Sequence, residues 1–158
     1  SKEIFTIEKQ ESKKTIRFGL SAIKGVGAKS IKSVVQVREK FGKFNSLIDF
    51  MQKVDSEVIN KRQLEKLIQS GSFDSVEVNR SKLFFNVPQF VNLFNSQNTK
   101  LNQNLLFEDQ EISFNDKNLF EQNITEWSSG ETLKNELEVI GFYFTCLDVT
   151  ASPYPVYF

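Results

Sequence analysis

Two glycines flank one apolar residue in Gly25-Val26-Gly27, and a helix-forming run carrying Lys29 and Lys32 follows at once. No other stretch restricts the local chain so tightly. Without a Cβ at either glycine the backbone can turn sharply and come close to whatever binds there. The helix opening at Ala28 has amides with no intrahelical acceptor and a partial positive charge, which together make a seat for a phosphate. Lys24, Lys29 and Lys32 stand where point charges would reinforce it. The alternative is a plain turn between helices, with capping glycines and solvated lysines, since short glycine motifs recur by chance.

Composition excludes much chemistry. With no histidine and a single cysteine, Cys146, the 158-residue chain cannot assemble a zinc site, a Cys–His nucleophile or a Ser–His–Asp triad. The lone cysteine also excludes a disulfide framework and fits a reducing cytoplasm. No apolar run approaches the roughly 18 residues of a membrane span, and residues 1–10 lack the apolar core of a signal peptide. The length allows one or two small domains with a modest core. Formal net charge is zero, but residues 1–82 hold 17 Lys and Arg against 10 Asp and Glu, and residues 83–158 hold 3 against 10. Such a split suggests a basic front facing a polyanion, or only lysine-rich helices facing water.

Along the chain, 4–7 and 15–20 read as strands around a charged turn at 8–14. Ile31, Val34, Val35 and Val37 give an apolar stripe to a helix over 28–41, with Gly42 as a left-handed C-terminal cap. Further helices are expected over 46–54 and 58–70. Ser70-Gly71-Ser72-Phe73-Asp74 then makes a second short turn, and Asn79 caps the next helix, which carries Arg80 and Lys82 in its first turn. A small-residue turn before a basic helix start thus occurs twice, 46 residues apart (Gly25, Gly71), although the second copy has one glycine. The expected phosphate contacts are Lys24, Gly25, Val26, Gly27, Lys29 and Lys32 at the first turn, and Ser70, Gly71, Ser72 and Arg80 at the second. Val87-Pro88 kinks or restarts the helix beyond. Residues 97–126 are polar and aperiodic and read as a flexible connector. Ser128 and Glu131 form a capping box for a last helix carrying Leu133, Leu137 and Ile140, and Trp127 before it reads as core.

Inside the connector lies Gln103-Asn104-Leu105-Leu106-Phe107. Adjacent large apolar residues in a polar segment can serve as anchors for a groove on a partner, with Gln103 supplying one directed hydrogen bond. They can equally pack back on the helices. Asn118-Leu119-Phe120 is a near copy without the glutamine.

In this order the pieces resemble the alpha-subunit family of bacterial replicative DNA polymerase III. The resemblance rests on Ile16-Arg17-Phe18-Gly19-Leu20-Ser21-Ala22-Ile23-Lys24-Gly25-Val26-Gly27, residues 54–62 ending Asn60-Lys61-Arg62, Leu67-Ile68-Gln69-Ser70-Gly71-Ser72-Phe73-Asp74, and Asn79-Arg80. Leu137-Glu138-Val139-Ile140-Gly141-Phe142-Tyr143-Phe144-Thr145 is similar to the segment leading toward that family's OB domain. It covers about residues 5–145. A lone hairpin is generic; the ordered set is specific.

The residues and the resemblance together lead to the expectation of a mainly α fold: an extended lead-in (1–20) with a short β-hairpin, a tandem helix-hairpin-helix module (21–96), the connector (97–126), a helix toward a missing OB domain (127–146) and a disordered tail (147–158). The resemblance implies sequence-independent binding of duplex DNA by the two hairpins and binding of the sliding clamp through Gln103, Leu106 and Phe107. Other replicase subunits would be partners through the parent protein, in the cytoplasm, with no membrane involved. The palm carboxylates that hold Mg²⁺ in the family lie upstream, so this piece is expected to be non-catalytic and without cofactor, a monovalent cation at the first hairpin staying open. After Thr145 the family's Gly-His-Pro is replaced by Cys146-Leu147-Asp148, and the end Pro153-Tyr154-Pro155-Val156-Tyr157-Phe158 matches nothing in it. The chain therefore reads as an excised or truncated fragment. A helix-hairpin-helix repair enzyme or glycosylase, with Asp49 or Asp55 as its acid, is the alternative, and a pure protein-interaction domain is a third.

Overall fold

The computed structural model describes residues 3–10, 13–54, 58–103, 121 and 123–143. It opens with an antiparallel hairpin of β1 (Thr6–Gln10) and β2 (Lys13–Arg17), in which Thr6 pairs with Arg17 and Ile7 with Ile16. The ladder reaches further into the charged stretch than the sequence suggests. A free two-stranded ribbon need bury neither face, so charged residues do not stop the backbone pairing. After β2, Phe18 meets Phe5 and Phe142 edge to face, with centroids 4.9 and 5.6 Å apart. A Cβ on Gly19 would lie 2.5 to 2.8 Å from backbone atoms of Ile4 and Phe5, so only glycine lets the lead-in cross here.

A 3-10 turn, Leu20–Ala22, precedes the first glycine turn. Helix α1 then runs Ala28–Phe41, as its apolar stripe predicts. Gly42 closes it with φ 84° but ψ −167°: the positive φ expected of it is present, the left-handed helical ψ is not. Helix α2, Leu47–Lys53, starts where the Asp49 amide donates to Ser46 Oγ at 2.9 Å. Helix α3, Lys61–Gln69, starts later than periodicity suggests. The Asn60 and Gln63 side chains each accept the other's amide at 3.0 Å, fixing the start and leaving Ile59 outside the helix as a buried preceding residue.

Helix α4, Arg80–Gln103, is continuous through Pro88 and takes in residues 97–103, which the sequence reading gave to the connector. Further along that segment, Asn86 Nδ2 donates to Glu121 O while Asn86 Oδ1 accepts the Glu121 amide, both at 3.0 Å. Asn79 Nδ2 donates to Ile124 O, and Ser81 Oγ donates to Thr125 O. The described part of the connector is therefore fastened along α4, because polar side chains of α4 supply its backbone with partners. Trp127, half-buried, meets Phe84 edge to face at 5.5 Å, at the rim of the core. Helix α5, Ser129–Ile140, begins with the expected capping box between Ser128 and Glu131.

Helix α3 packs on both α4 and α5, α2 on α4, and α1 on the 3-10 turn. Leu64 and Ile68 of α3 have no exposed surface, and neither has Val139 of α5. Enclosing a side chain of that size is worth roughly 1.5 to 3 kcal/mol. Val139 and Ile140 belong to the same core as Ile23, Val26, Ile31 and Phe50, so α5 completes the module and is not a separate unit after a linker. Phe50 links Phe44 and Phe73 through edge-to-face contacts at 5.0 and 5.1 Å; Phe50 and Phe73 belong to this core and Phe44 packs against it.

Several carboxylates titrate below their ordinary values. Lys53 and the Asn45 amide hold Asp49 down, Lys66 holds Glu138 down, and the Ser128 amide and hydroxyl hold Glu131 down. Burial pushes Glu77 up, but bonds from Lys82 and the Asn79 amide outweigh it and leave it lowered. Each binds a proton more readily in the unfolded chain, so its contribution is complete above the ordinary carboxylate range and lost as pH falls through the folded value. With no histidine in the chain, urea midpoints are expected to stay level from pH 6 to 8 and to fall progressively below about pH 4.5. A midpoint that drops between pH 7 and 6 would contradict this.

Candidate nucleic-acid interface

The first hairpin is built from the inside outward. Ile23 and Val26 are buried and anchor it, while Lys24, Gly25 and Gly27 between and beside them are exposed. The Val26 amide donates to Ile23 O at 3.2 Å, closing the turn, and Gly25 takes φ 79° to allow it. The Lys24 amide donates to Val139 O at 2.8 Å, so the hairpin leans on the last turn of α5. Val26, expected among the phosphate contacts, thus supplies a core side chain and a structural amide. The Gly25 amide has no acceptor among the described residues, nor have those of Gly27, Ala28, Lys29 and Ser30 at the start of α1; the first helical donor is Ile31, to Gly27 O at 3.1 Å.

Helix α1 differs from its neighbours in one respect. Ser46, Asn60 and Ser128 cap α2, α3 and α5 with side-chain oxygens, and Asn79 Oδ1 accepts the Lys82 amide in the first turn of α4. Gly27 offers α1 no side chain, and no acidic residue stands in its first turn. Lys29 is there instead, adding positive charge to the positive end of the helix dipole, against the usual preference. Lys24, Lys29 and Lys32 are all exposed and have no ion-pair partner among the described residues. Sequence reasoning missed the contribution of α3: Gln63 Nε2 donates to Ser30 Oγ at 3.3 Å and brings the start of α3, with exposed Arg62, against the start of α1.

The second hairpin is closed. Gly71, at φ 75°, follows the C-cap of α3, with its amide on Ile68 O at 3.0 Å and the Ser72 amide on Leu67 O at 3.1 Å. Ser70 Oγ donates to Leu67 O at 2.8 Å and lies 2.8 Å from Ser72 Oγ, which leaves Ser72 as the donor of that pair. The expected phosphate donors Ser70, Gly71 and Ser72 are therefore all spent within the turn. Arg80 differs from expectation too. Its Nε and Nη2 donate to Asp74 at 2.7 and 2.6 Å, and its Nη1 donates to Glu136 Oε1 at 2.9 Å. Burial of the guanidinium favours its neutral form, but the bonds to Asp74 and Glu136 outweigh that and raise its pKa. A shallow cleft beside it is lined by Asp74, Glu126 and Trp127, and two carboxylates are poor company for a phosphate.

Asp49, the acid of the repair-enzyme reading, is occupied as a local cap, accepting the Asn45 amide at 2.9 Å and pairing with Lys53 at 2.7 Å. Asp55 lies outside the described residues, as do Leu106 and Phe107; Gln103 is the last residue of α4. Among the described residues no three acidic or cysteine side chains converge to hold a metal, and no helix is long and apolar enough to cross a membrane.

A small-residue turn between helices is thus used twice, and one copy presents free amides beside lysines. The helix-hairpin-helix motif family matches residues 1–83, and the chain belongs to that family. It is 38% identical over 130 residues to the DNA polymerase III subunit alpha of Neisseria meningitidis, a match covering 82% of this chain and 11% of the relative. It is 40% identical over 131 residues to the subunit of that name from Borreliella burgdorferi, covering 81% and 11%. With that of Aquifex aeolicus it shares 33% over 141 residues, covering 89% and 10%. The chain thus spans about a tenth of the length of these relatives.

The positive-φ glycines of the two hairpins make different demands. A Cβ on Gly25 would meet nothing nearer than Lys66 Cγ at 3.7 Å, so Gly25→Ala carries only backbone strain, about 1 to 2 kcal/mol. A Cβ on Gly71 would overlap the Arg80 guanidinium and lie 2.8 Å from Asp74 Oδ2. Gly71→Ala is expected to cost more in denaturant unfolding than Gly25→Ala. Equal losses would mean that Arg80 does not lie against the turn.

Proposed function

We propose that this chain is a non-catalytic segment of a bacterial replicative DNA polymerase that grips the backbone of duplex DNA irrespective of sequence. The observation that carries the reading is the α1 start: the amides of Gly25, Gly27, Ala28, Lys29 and Ser30 have no acceptor among the described residues and are flanked by exposed Lys24, Lys29 and Lys32. Amides and helix N-termini contact phosphate oxygens without reading base edges. The first hairpin carries the contact. The second, with its donors spent, braces it. Polymerisation, its Mg²⁺ and contacts with other replicase subunits would belong to the remainder of such a subunit, working in the cytoplasm. That the relatives bear the name of a DNA polymerase subunit supports this setting.

Salt dependence tests it. Each lysine neutralising a phosphate contributes about 0.9 to the slope of log affinity against log salt. Replacing Lys24, Lys29 and Lys32 together by Gln should flatten the slope by up to about 2.7 and weaken binding alike on unrelated duplexes. An unchanged slope, or a loss confined to one sequence, would sink backbone recognition.

We also propose that Gln103, Leu106 and Phe107 tether the chain to a bacterial sliding clamp. A weak DNA grip and a weak clamp grip on one chain reinforce each other through effective concentration. Anisotropy titration against purified clamp should show binding that vanishes when all three become Ala. Equal binding by both proteins, or none by either, removes the tether.

A further inference from the structure

We propose that Arg80 is a positioning residue for the first hairpin, acting through Glu136 and α5, and not a phosphate ligand. The inference rests on the DNA-binding reading above and names how its site is held. Glu136 has no exposed surface and sits against Arg80 Nη1 at 2.9 Å, while Asp74 takes the other edge of the guanidinium. The planar fork of Arg reaches two carboxylates at once, which a single ammonium does not do. Through it the second hairpin and the start of α4 are fixed to the middle of α5. One turn on, Val139 O receives the Lys24 amide, and Lys24 Nζ lies near Gly141, where a Cβ would be 3.5 Å away. Lys66 and Glu138 add a second tie from α3 to the same turn of α5. The bond from the Lys24 amide to Val139 thus falls within one turn of Glu136. If α5 shifts, the free amides of the first hairpin shift with it.

Three variants separate this role from direct phosphate contact. In Arg80→Lys the charge persists, so a direct ligand would keep near wild-type affinity, whereas a positioning residue cannot bridge both carboxylates. We expect duplex affinity to fall on the order of threefold to tenfold. Arg80→Gln should weaken binding at every salt concentration with an unchanged slope; a slope flattened by about 0.9 would mark a lost phosphate contact. Glu136→Gln, buried and unable to touch DNA, should reproduce the loss, and wild-type affinity there overturns the proposal. Amide exchange needs no DNA. In Arg80→Lys the Lys24 amide should exchange faster while Ile31 and Val34 in α1 keep their protection. Unchanged Lys24 exchange, or acceleration spread evenly over α1, refutes positioning. Wild-type protein that binds no duplex would refute the function, while the exchange result would still decide the role of Arg80.

Discussion

A carboxylate with no exposed surface has to be met by a cation, and in this chain Arg80 meets Glu136. Taking both ions out of water costs several kcal/mol per ion, and only close, well-directed bonds offset that. The consequence is less a gain in stability than a constraint on arrangement. Helices α4 and α5 can separate only by breaking the bond between Arg80 and Glu136, and the turn around Gly71 must stay open enough for the guanidinium to pass. A Met–Leu pair of similar bulk would hold the helices together as well or better, but it would not fix their rotation about one another. The asymmetry of the two hairpins follows from this arrangement. The second is used up in holding the module, so the first is left to face outward.

Local rules are followed wherever the chain needs only to fold. Four helix starts carry a side-chain cap, two of them with reciprocal capping boxes. The α1 start lacks a capping side chain, while the basic first turn it carries is shared with α3 and α4. Sequences that agree with their fold at every level and disagree at one place usually mark function there. The first hairpin is that place, and its disagreement is of the kind an anion would resolve.

Much of this was legible because it is local. The bounds of α1 follow from Gly27 and Gly42, the α5 start from the spacing of Ser128 and Glu131, and the α4 start from Asn79. What was not legible depends on partners far along the chain. Asn86 reads as a helix-surface amide until Glu121, 35 residues on, is found bonded to it. Ser81 and Asn79 likewise commit to backbone 44 and 45 residues away, which is why the end of the 97–126 stretch read as a flexible connector. Arg80 is the clearest case. Its place after a glycine turn suggested a phosphate ligand, and nothing within ten residues betrays the carboxylate 56 positions later that claims it. Periodicity also overran the true start of α3, since Ile59 is buried whether it lies in the helix or just before it.

The charge split between the halves looks different once the pairs are known. Among the described residues, acids of the second half pair with bases of the first. The acidic second half supplies Glu136 to Arg80 and Glu138 to Lys66. Asp49, Glu65 and Glu77 of the first half balance Lys53, Lys61 and Lys82. Neutralisation is thus selective, and around the first hairpin Lys24, Lys29 and Lys32 stay outside it. A chain of zero net charge has no long-range pull on a polyanion, because fields from paired charges cancel beyond a Debye length of about 10 Å at 0.1 M salt. Within that distance the unpaired lysines and the open end of α1 act together. On the proposed function, such a site would grip a backbone already brought close and let go when nothing else holds it there.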